Sequence, residues 1–157
     1  MVIEKKINTA AVRMTSLDPL DHALELLHFG FRGLTVEADA YLATLGLSRV
    51  HHRILYVIAR AEHLSVGDLA ATLGVSKQAA HRPLSHLFER ELVGYSREPG
   101  RHRFKLLALT EAGQAVERSA TELERKLLRE AFAQTDEQGQ QAWEAVMLSL
   151  AGHLNRP

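Results

Sequence analysis

Apolar residues recur at three- and four-residue steps from Leu20 through Ala23, Leu24, Leu27, Phe31, Leu34, Ala38, Tyr41, Leu42 and Leu45. That period is one face of a long helix. Asp18-Pro19-Leu20-Asp21 reads as its start, with Asp18 able to cap, Pro19 suited to the first helical position and Asp21 favouring the positive end of the dipole. Gly30 and Gly33 interrupt the pattern, each costing about 1 kcal/mol relative to alanine. Close approach by another helix or a ligand would account for them. Gly46 ends the helix and Ser48 caps the next, whose apolar stripe is Val50, Ile54, Leu55, Val57 and Ile58. Ser65-Val66-Gly67-Asp68 has the spacing of a capping box, with Asp where Glu or Gln is usual. It opens a short helix that Gly74 closes, and Ser76 caps another.

Beyond Leu92 the period changes. Residues 92–109, "LVGYSREPGRHRFKLLAL", are β-branched, aromatic or aliphatic at each end, with Pro99-Gly100 between. Pro then Gly suits the centre of a type II turn, so the segment reads as a two-stranded hairpin. Thr110 caps a long helix with the stripe Ala112, Val116, Ala120, Leu123, Leu127 and Ala131. Thr135-Asp136-Glu137-Gln138 is read as a further capping box, opening a last helix with Trp143, Val146, Met147, Leu150 and Leu154 on one face. The predicted order is helix, helix, short helix, helix, hairpin, helix, helix, with no internal repeat.

The segment after Ser76 has an unusual outward face. At about 100° per residue, Ala80, Leu84, Leu87 and Phe88 form the inward stripe. Gln78, His81, Arg82, Ser85 and Glu89 gather opposite it. Gln, His, Arg and Ser can donate to and accept from base edges, Arg pairing well with guanine and Gln with adenine. Ser76, Lys77 and the helix start are placed to meet phosphates. Val66, Ala70, Gly74, Val75 and Ala80 occupy the apolar, small and turn positions of a helix-turn-helix. The following hairpin carries Arg97, Arg101 and Arg103 at its tip, which makes the unit a winged helix whose basic tip can enter a narrow minor groove. Pro83 lies at the edge of the inward stripe. It has no amide to bond the Ala79 carbonyl. A helix bent at Pro83 is favoured over one that starts there, because Ser76 is the better cap.

Composition sharpens this reading. The 157 residues carry no formal net charge. Residues 76–105 nevertheless hold Lys77, Arg82, Arg90, Arg97, Arg101, Arg103 and Lys105 against Glu89, Glu91 and Glu98, a local excess suited to a polyanion. No apolar run is long enough to span a bilayer, and the N-terminal residues lack a secretory apolar core, so a cytoplasmic protein is expected. Cysteine is absent, which excludes disulfides, thiolate metal sites and thiol catalysis. No G-x-S-x-G, H-E-x-x-H or phosphate-cradling glycine loop is present, so no catalytic residues and no cofactor are expected. The nine histidines raise a zinc reading through His51-His52 with His22 or His28. Adjacent helical histidines point about 100° apart, and no metal site is assigned.

The segments "LSRVHHRIL" (47–55), "LSVGDLAATLGVSKQAAHRPLSHLFERELV" (64–93) and "RHRFKLLALTEAG" (101–113) resemble the MarR family of bacterial transcriptional regulators. Leu109-Thr110 with Gly113, following the wing, is the most specific of these marks, and the order of elements matches from residue 18 to the end. The resemblance implies a mainly α fold with a small two-stranded β wing. Residues 1–17 would be a flexible leader, 18–46 a first dimerisation helix, 47–109 a winged helix-turn-helix DNA-binding domain and 110–157 the C-terminal dimerisation helices. It implies a homodimer on a pseudo-palindromic operator, most simply a repressor. Recognition helices would stand about 34 Å apart, with no membrane partner.

DNA contacts would fall to Ser76, Lys77, Gln78, His81, Arg82 and Ser85, with Arg97, Arg101 and Arg103 from the wing. The family wing commonly carries Asp-x-Arg. Here Arg103 matches the Arg, while Arg101 replaces the Asp that usually braces it. Many members release DNA on binding a small aromatic or phenolic acid, and Phe29, Arg32, His51, His52 and Tyr56 stand near that pocket. The alternatives are a zinc-responsive relative and a winged helix serving protein contact alone.

Overall fold

Capping chemistry sets most of the element boundaries in the computed structural model, which describes residues 18–96 and 105–155. Six α-helices and a two-stranded sheet occur among these residues, in the order α1 (Asp21–Thr44), α2 (Arg49–Arg60), α3 (Val66–Leu73), α4 (Lys77–Glu89), β1 (Val93–Tyr95), β2 (Leu107–Leu109), α5 (Glu111–Phe132) and α6 (Glu137–Ala151). A short 3₁₀ turn follows at Gly152–Asn155. The Ser65 side chain accepts from Asp68 N–H at 3.1 Å, and Asp68 Oδ2 accepts from Ser65 N–H at 3.1 Å, the reciprocal box expected there. Ser76 Oγ accepts from Ala79 N–H at 3.0 Å, and α4 runs unbroken through Pro83. The alternative start at Pro83 is therefore excluded. At α6 the cap is Asp136, whose Oδ1 accepts from Gly139 N–H at 2.8 Å. The cap thus falls one residue after Thr135, and Gly139 at the third position has no side chain to complete a box.

The chain divides into two compact units within α1, at Gly33/Leu34. In the first unit, Asp18 Oδ1 accepts from Leu20 N–H at 2.8 Å, while Leu20, Leu24, Leu27 and Phe31 are exposed. In the second, Leu42, Ile54, Leu55, Leu69 and Leu87 are fully buried. Each such side chain contributes about 1.5–3 kcal/mol relative to exposure. The inward stripe of α4 is buried at Ala80, Leu84 and Leu87, with Phe88 partly covered against Tyr95. Val50, Val75, Ala112 and Ala131, expected at inward positions, are exposed, while His52 and Gly113 turn inward. One step along a helix rotates a side chain by about 100°, which is enough to exchange neighbours between core and solvent.

β1 and β2 pair antiparallel, Val93 opposite Leu109 and Tyr95 opposite Leu107. Leu107 N–H also donates to Leu64 O at 2.8 Å, tying the base of the hairpin to the loop before α3. The Pro99-Gly100 turn and the arginines 97, 101 and 103 lie outside the described residues.

Helix α4 ends on a left-handed residue, Glu91, at φ 55°. Leu92 N–H reaches back to Leu87 O and Glu91 N–H to Phe88 O, the Schellman pattern. Gly74 closes α3 in the same way at φ 67°. A side chain in that conformation costs about 1–2 kcal/mol. Glu91→Gly is therefore expected to raise the unfolding free energy by about 0.5–1 kcal/mol after the added backbone entropy is deducted. Urea denaturation of both proteins at one concentration measures the difference, and a destabilised variant would contradict it.

Candidate nucleic-acid interface

With Ala80, Leu84 and Leu87 anchored in the core, helix periodicity leaves Lys77, Gln78, His81 and Arg82 exposed and Ser85 partly so. These residues share the outward side of one helix, capped by Ser76. The His81 ring nitrogen Nδ1 lies 3.5 Å from Ser85 Oγ, one turn away. Lys77 lies against the start of α3, so close that a Cβ on Gly67 would meet its Cε at 3.2 Å. Hydrogen bonds from Ser65, with Lys77 adding to them, hold the Asp68 carboxyl below the usual carboxylate range, so the α3 cap stays ionised at neutral pH. Donors, acceptors and two fixed cations are thus presented together on a surface that α4 cannot withdraw without emptying the core.

The histidines proposed for an effector part company. His51 turns towards α4, where its ring centroid lies 5.0 Å from that of His86. His52 turns the other way, into the contact of α2 with α5, and is 5% exposed. There its Nε2 is 3.0 Å from Thr121 Oγ1. The Thr121 hydroxyl donates to Glu117 Oε1 at 2.7 Å, and Arg60 donates to the same oxygen at 2.7 Å. A hydroxyl has one hydrogen, so Thr121 accepts from His52, and Nε2 carries the imidazole proton. Nδ1 then faces Glu124 Oε1 at 3.6 Å. Burial lowers the His52 pKa and raises that of Glu124, both favouring the uncharged forms. The Arg60 guanidinium also stacks 3.6 Å from the Tyr56 ring centroid, and His52 meets Tyr56 edge-on at 6.4 Å.

The sequence reading missed Arg60, Glu117, Thr121 and Glu124. The available signal was Glu117, Thr121 and Glu124 recurring at helical spacing on the α5 side that also carries Ala120. Phe29 and Arg32 lie in the first unit, the guanidinium 5.9 Å from the Phe29 ring centroid. Among the described residues, no group of three or more His, Cys, Asp or Glu is arranged to hold a metal ion, and the zinc reading gains nothing there. No helix among them is long and apolar enough to cross a membrane. Helix α6 has no buried residue and exposes Trp143, Val146, Leu148 and Leu150.

The MarR family's sequence model matches residues 45–103, the stretch that holds α2, α3, α4 and β1. The HTH-type transcriptional regulator PetP of Rhodobacter capsulatus is 34% identical over 115 residues, which span 73% of this chain and 69% of that protein. The fold is shared with CouR from Rhodococcus jostii RHA1, solved bound to p-coumaroyl-CoA, at TM-score 0.68 and 23% identity over 87% of this chain and 96% of that one. It is shared too with the S. aureus MepR–DNA complex, at TM-score 0.67 and 17% identity over 83% and 94% of the two chains. At such identities the solved structures speak for the winged-helix fold, while the match to PetP carries the family. The chain belongs to the MarR family of transcriptional regulators.

Proposed function

We propose that the protein is a homodimeric, cytoplasmic repressor that reads a pseudo-palindromic operator by placing α4 of each protomer in the major groove. The observation that carries this reading is the outward face of α4, on which Lys77, Gln78, His81, Arg82 and Ser85 stand around a buried Ala80–Leu84–Leu87 anchor. Arg82 and Gln78 would read base edges, and Ser76 and Lys77 would meet phosphates. Arg97, Arg101 and Arg103 would engage the backbone or minor groove from the wing. MepR, solved with DNA, supports the same use of this fold. The role is binding, with no catalytic step.

A second protomer is the natural cover for the exposed apolar residues of α6 and of the start of α1, since a lone chain rarely leaves so much apolar surface in water. A small aromatic or phenolic effector is part of the same reading, supported by CouR with p-coumaroyl-CoA. Phe29, Arg32, His51, His52 and Tyr56 are the residues proposed to meet it.

A duplex selected by the wild-type protein from a random pool provides the test. Arg82→Ala is expected to weaken that duplex by about 1–3 kcal/mol and to relax preference at one position of each half-site. Uniform weakening across all duplexes would make Arg82 a phosphate contact. A wild-type chain that selects nothing over random duplex at physiological salt would leave the protein-interaction alternative standing.

A further inference from the structure

The fold leaves one buried carboxylate half satisfied. Glu117, on α5, has only 5% of its side chain exposed. Arg60 and Thr121 both donate to one of its oxygens, Oε1, at 2.7 Å. The other oxygen, Oε2, accepts no hydrogen bond from any described residue. Among the described residues, no side-chain nitrogen or oxygen shut off from solvent lacks a partner, so Oε2 is reached from outside. The way in is a cleft of about 510 Å³ that Glu117 lines.

The cleft is formed by the end of α2, by β2 and by the first turns of α5. Ile58, Leu107 and Leu109 give it apolar walls, the first two buried and the third partly so. Glu62 lines it from the α2 side and Arg118 from α5, both exposed. It shares no lining residue with the reading face of α4 or with the effector residues named above. Arg60 does not fill the place at Oε2, because it is held at Oε1 and against the Tyr56 ring, 3.6 Å from the centroid.

We propose that this cleft binds a small organic cation, a primary ammonium on an apolar body, whose N–H groups complete the hydrogen bonding of Glu117 Oε2. A carboxylate oxygen only accepts, so its partner must donate, and an anion would set lone pairs against lone pairs. A charged donor makes a shorter and stronger bond to it than a hydroxyl does. The exposed charges of Glu62 and Arg118 are opposite and screened by water, which leaves the buried carboxylate to choose the head group. The apolar body is then drawn out of water against Ile58, Leu107 and Leu109.

Phenethylamine is the probe, with phenethyl alcohol and phenylacetate as its neutral and anionic counterparts. Two-dimensional amide NMR of the whole chain at pH 7 reads the binding. The amine is expected to shift the amides of Ala61, Ala108, Gln114 and Arg118 saturably, with a dissociation constant of about 1 mM or below. The alcohol is expected to bind about tenfold more weakly. Phenylacetate is expected to leave these amides unmoved.

Glu117→Gln separates this role from a structural one. Its amide oxygen must face Arg60 and Thr121, which both donate, so its NH₂ turns into the cleft and an acceptor becomes a donor. Phenethylamine is expected to lose about tenfold or more in affinity, while phenylacetate gains affinity at the same amides. A merely loosened fold would weaken every compound alike. Ala59→Leu, at an exposed position on the cleft wall, fills the space without touching the carboxylate and is expected to abolish binding. It covers the case in which Glu117→Gln does not fold.

Shifts that fail to saturate, equal binding of amine and alcohol, or undiminished binding by either variant would each overturn the proposal. Shifts confined to the surroundings of Phe29 and Tyr56 would move the amine to the effector residues and overturn it likewise. The DNA-binding reading survives any of these results, since it makes no use of the cleft.

Discussion

Gly113→Ala is expected to lower the stability of the protein by about 3 kcal/mol or more, beyond the usual range for one added methyl group in a packed site. The reason lies in the "LTEAG" segment. A Cβ at residue 113 would stand 1.9 Å from Leu92 O, a backbone atom that cannot rotate aside. That carbonyl also accepts Thr110 N–H at 3.1 Å. The Thr110 hydroxyl donates to Glu91 O at 2.7 Å, and its oxygen accepts from Gly113 N–H at 3.0 Å. The end of α4 and the start of α5 are therefore clasped backbone to backbone, and making room for a methyl group opens the clasp. Urea denaturation followed by circular dichroism, at matched protein concentration, measures the loss. A difference below about 1 kcal/mol, typical of a surface change, would mean that the two helix ends slide apart freely. The same clasp holds β1 beside α5, so the variant is also expected to bind the selected duplex less tightly.

Arg60→Ala carries the second large expected loss, about 2–3 kcal/mol, somewhat under the figure for breaking a fully buried ion pair because Arg60 is partly exposed. The Glu117 side chain is 5% exposed and the Arg60 side chain 34%, so removing the cation leaves a carboxylate in the interior with only Thr121 to hydrogen-bond it. Urea denaturation of both proteins at neutral pH and one concentration provides the check, and a loss below about 1 kcal/mol, typical of a surface change, would contradict the account. Arg60→Ala with Glu117→Leu should recover part of the loss, since an apolar pair removes the stranded charge.

Legibility differed from element to element for physical reasons. The ends of α3 and α4 were readable because their signals are local. Ser65, Asp68, Gly74 and Ser76 act on amides within a few residues of themselves. The start of α6 was misread by one residue because Thr135 and Asp136 both carry a capping oxygen, and only backbone geometry decides which one turns towards the helix. On α2 the periodicity identified Ile54, Leu55 and Ile58 but assigned Val50 to the core in place of His52. Hydrophobicity alone cannot anticipate a histidine whose burial is made tolerable by partners elsewhere in the chain.

By itself the sequence determined the order of helices, the caps that start them and the polar outer surface of α4, because each rests on residues a turn or two apart. It also determined the family, through motifs of the same short range. The tertiary structure alone decided that His52 meets Thr121 across 69 positions and Arg60 meets Glu117 across 57, and that Gly113 touches the Leu92 carbonyl. Such pairings have no local signature. They exist because α2 and the end of α4 pack on α5, and packing brings together groups whose separation along the chain carries no information about their distance in space.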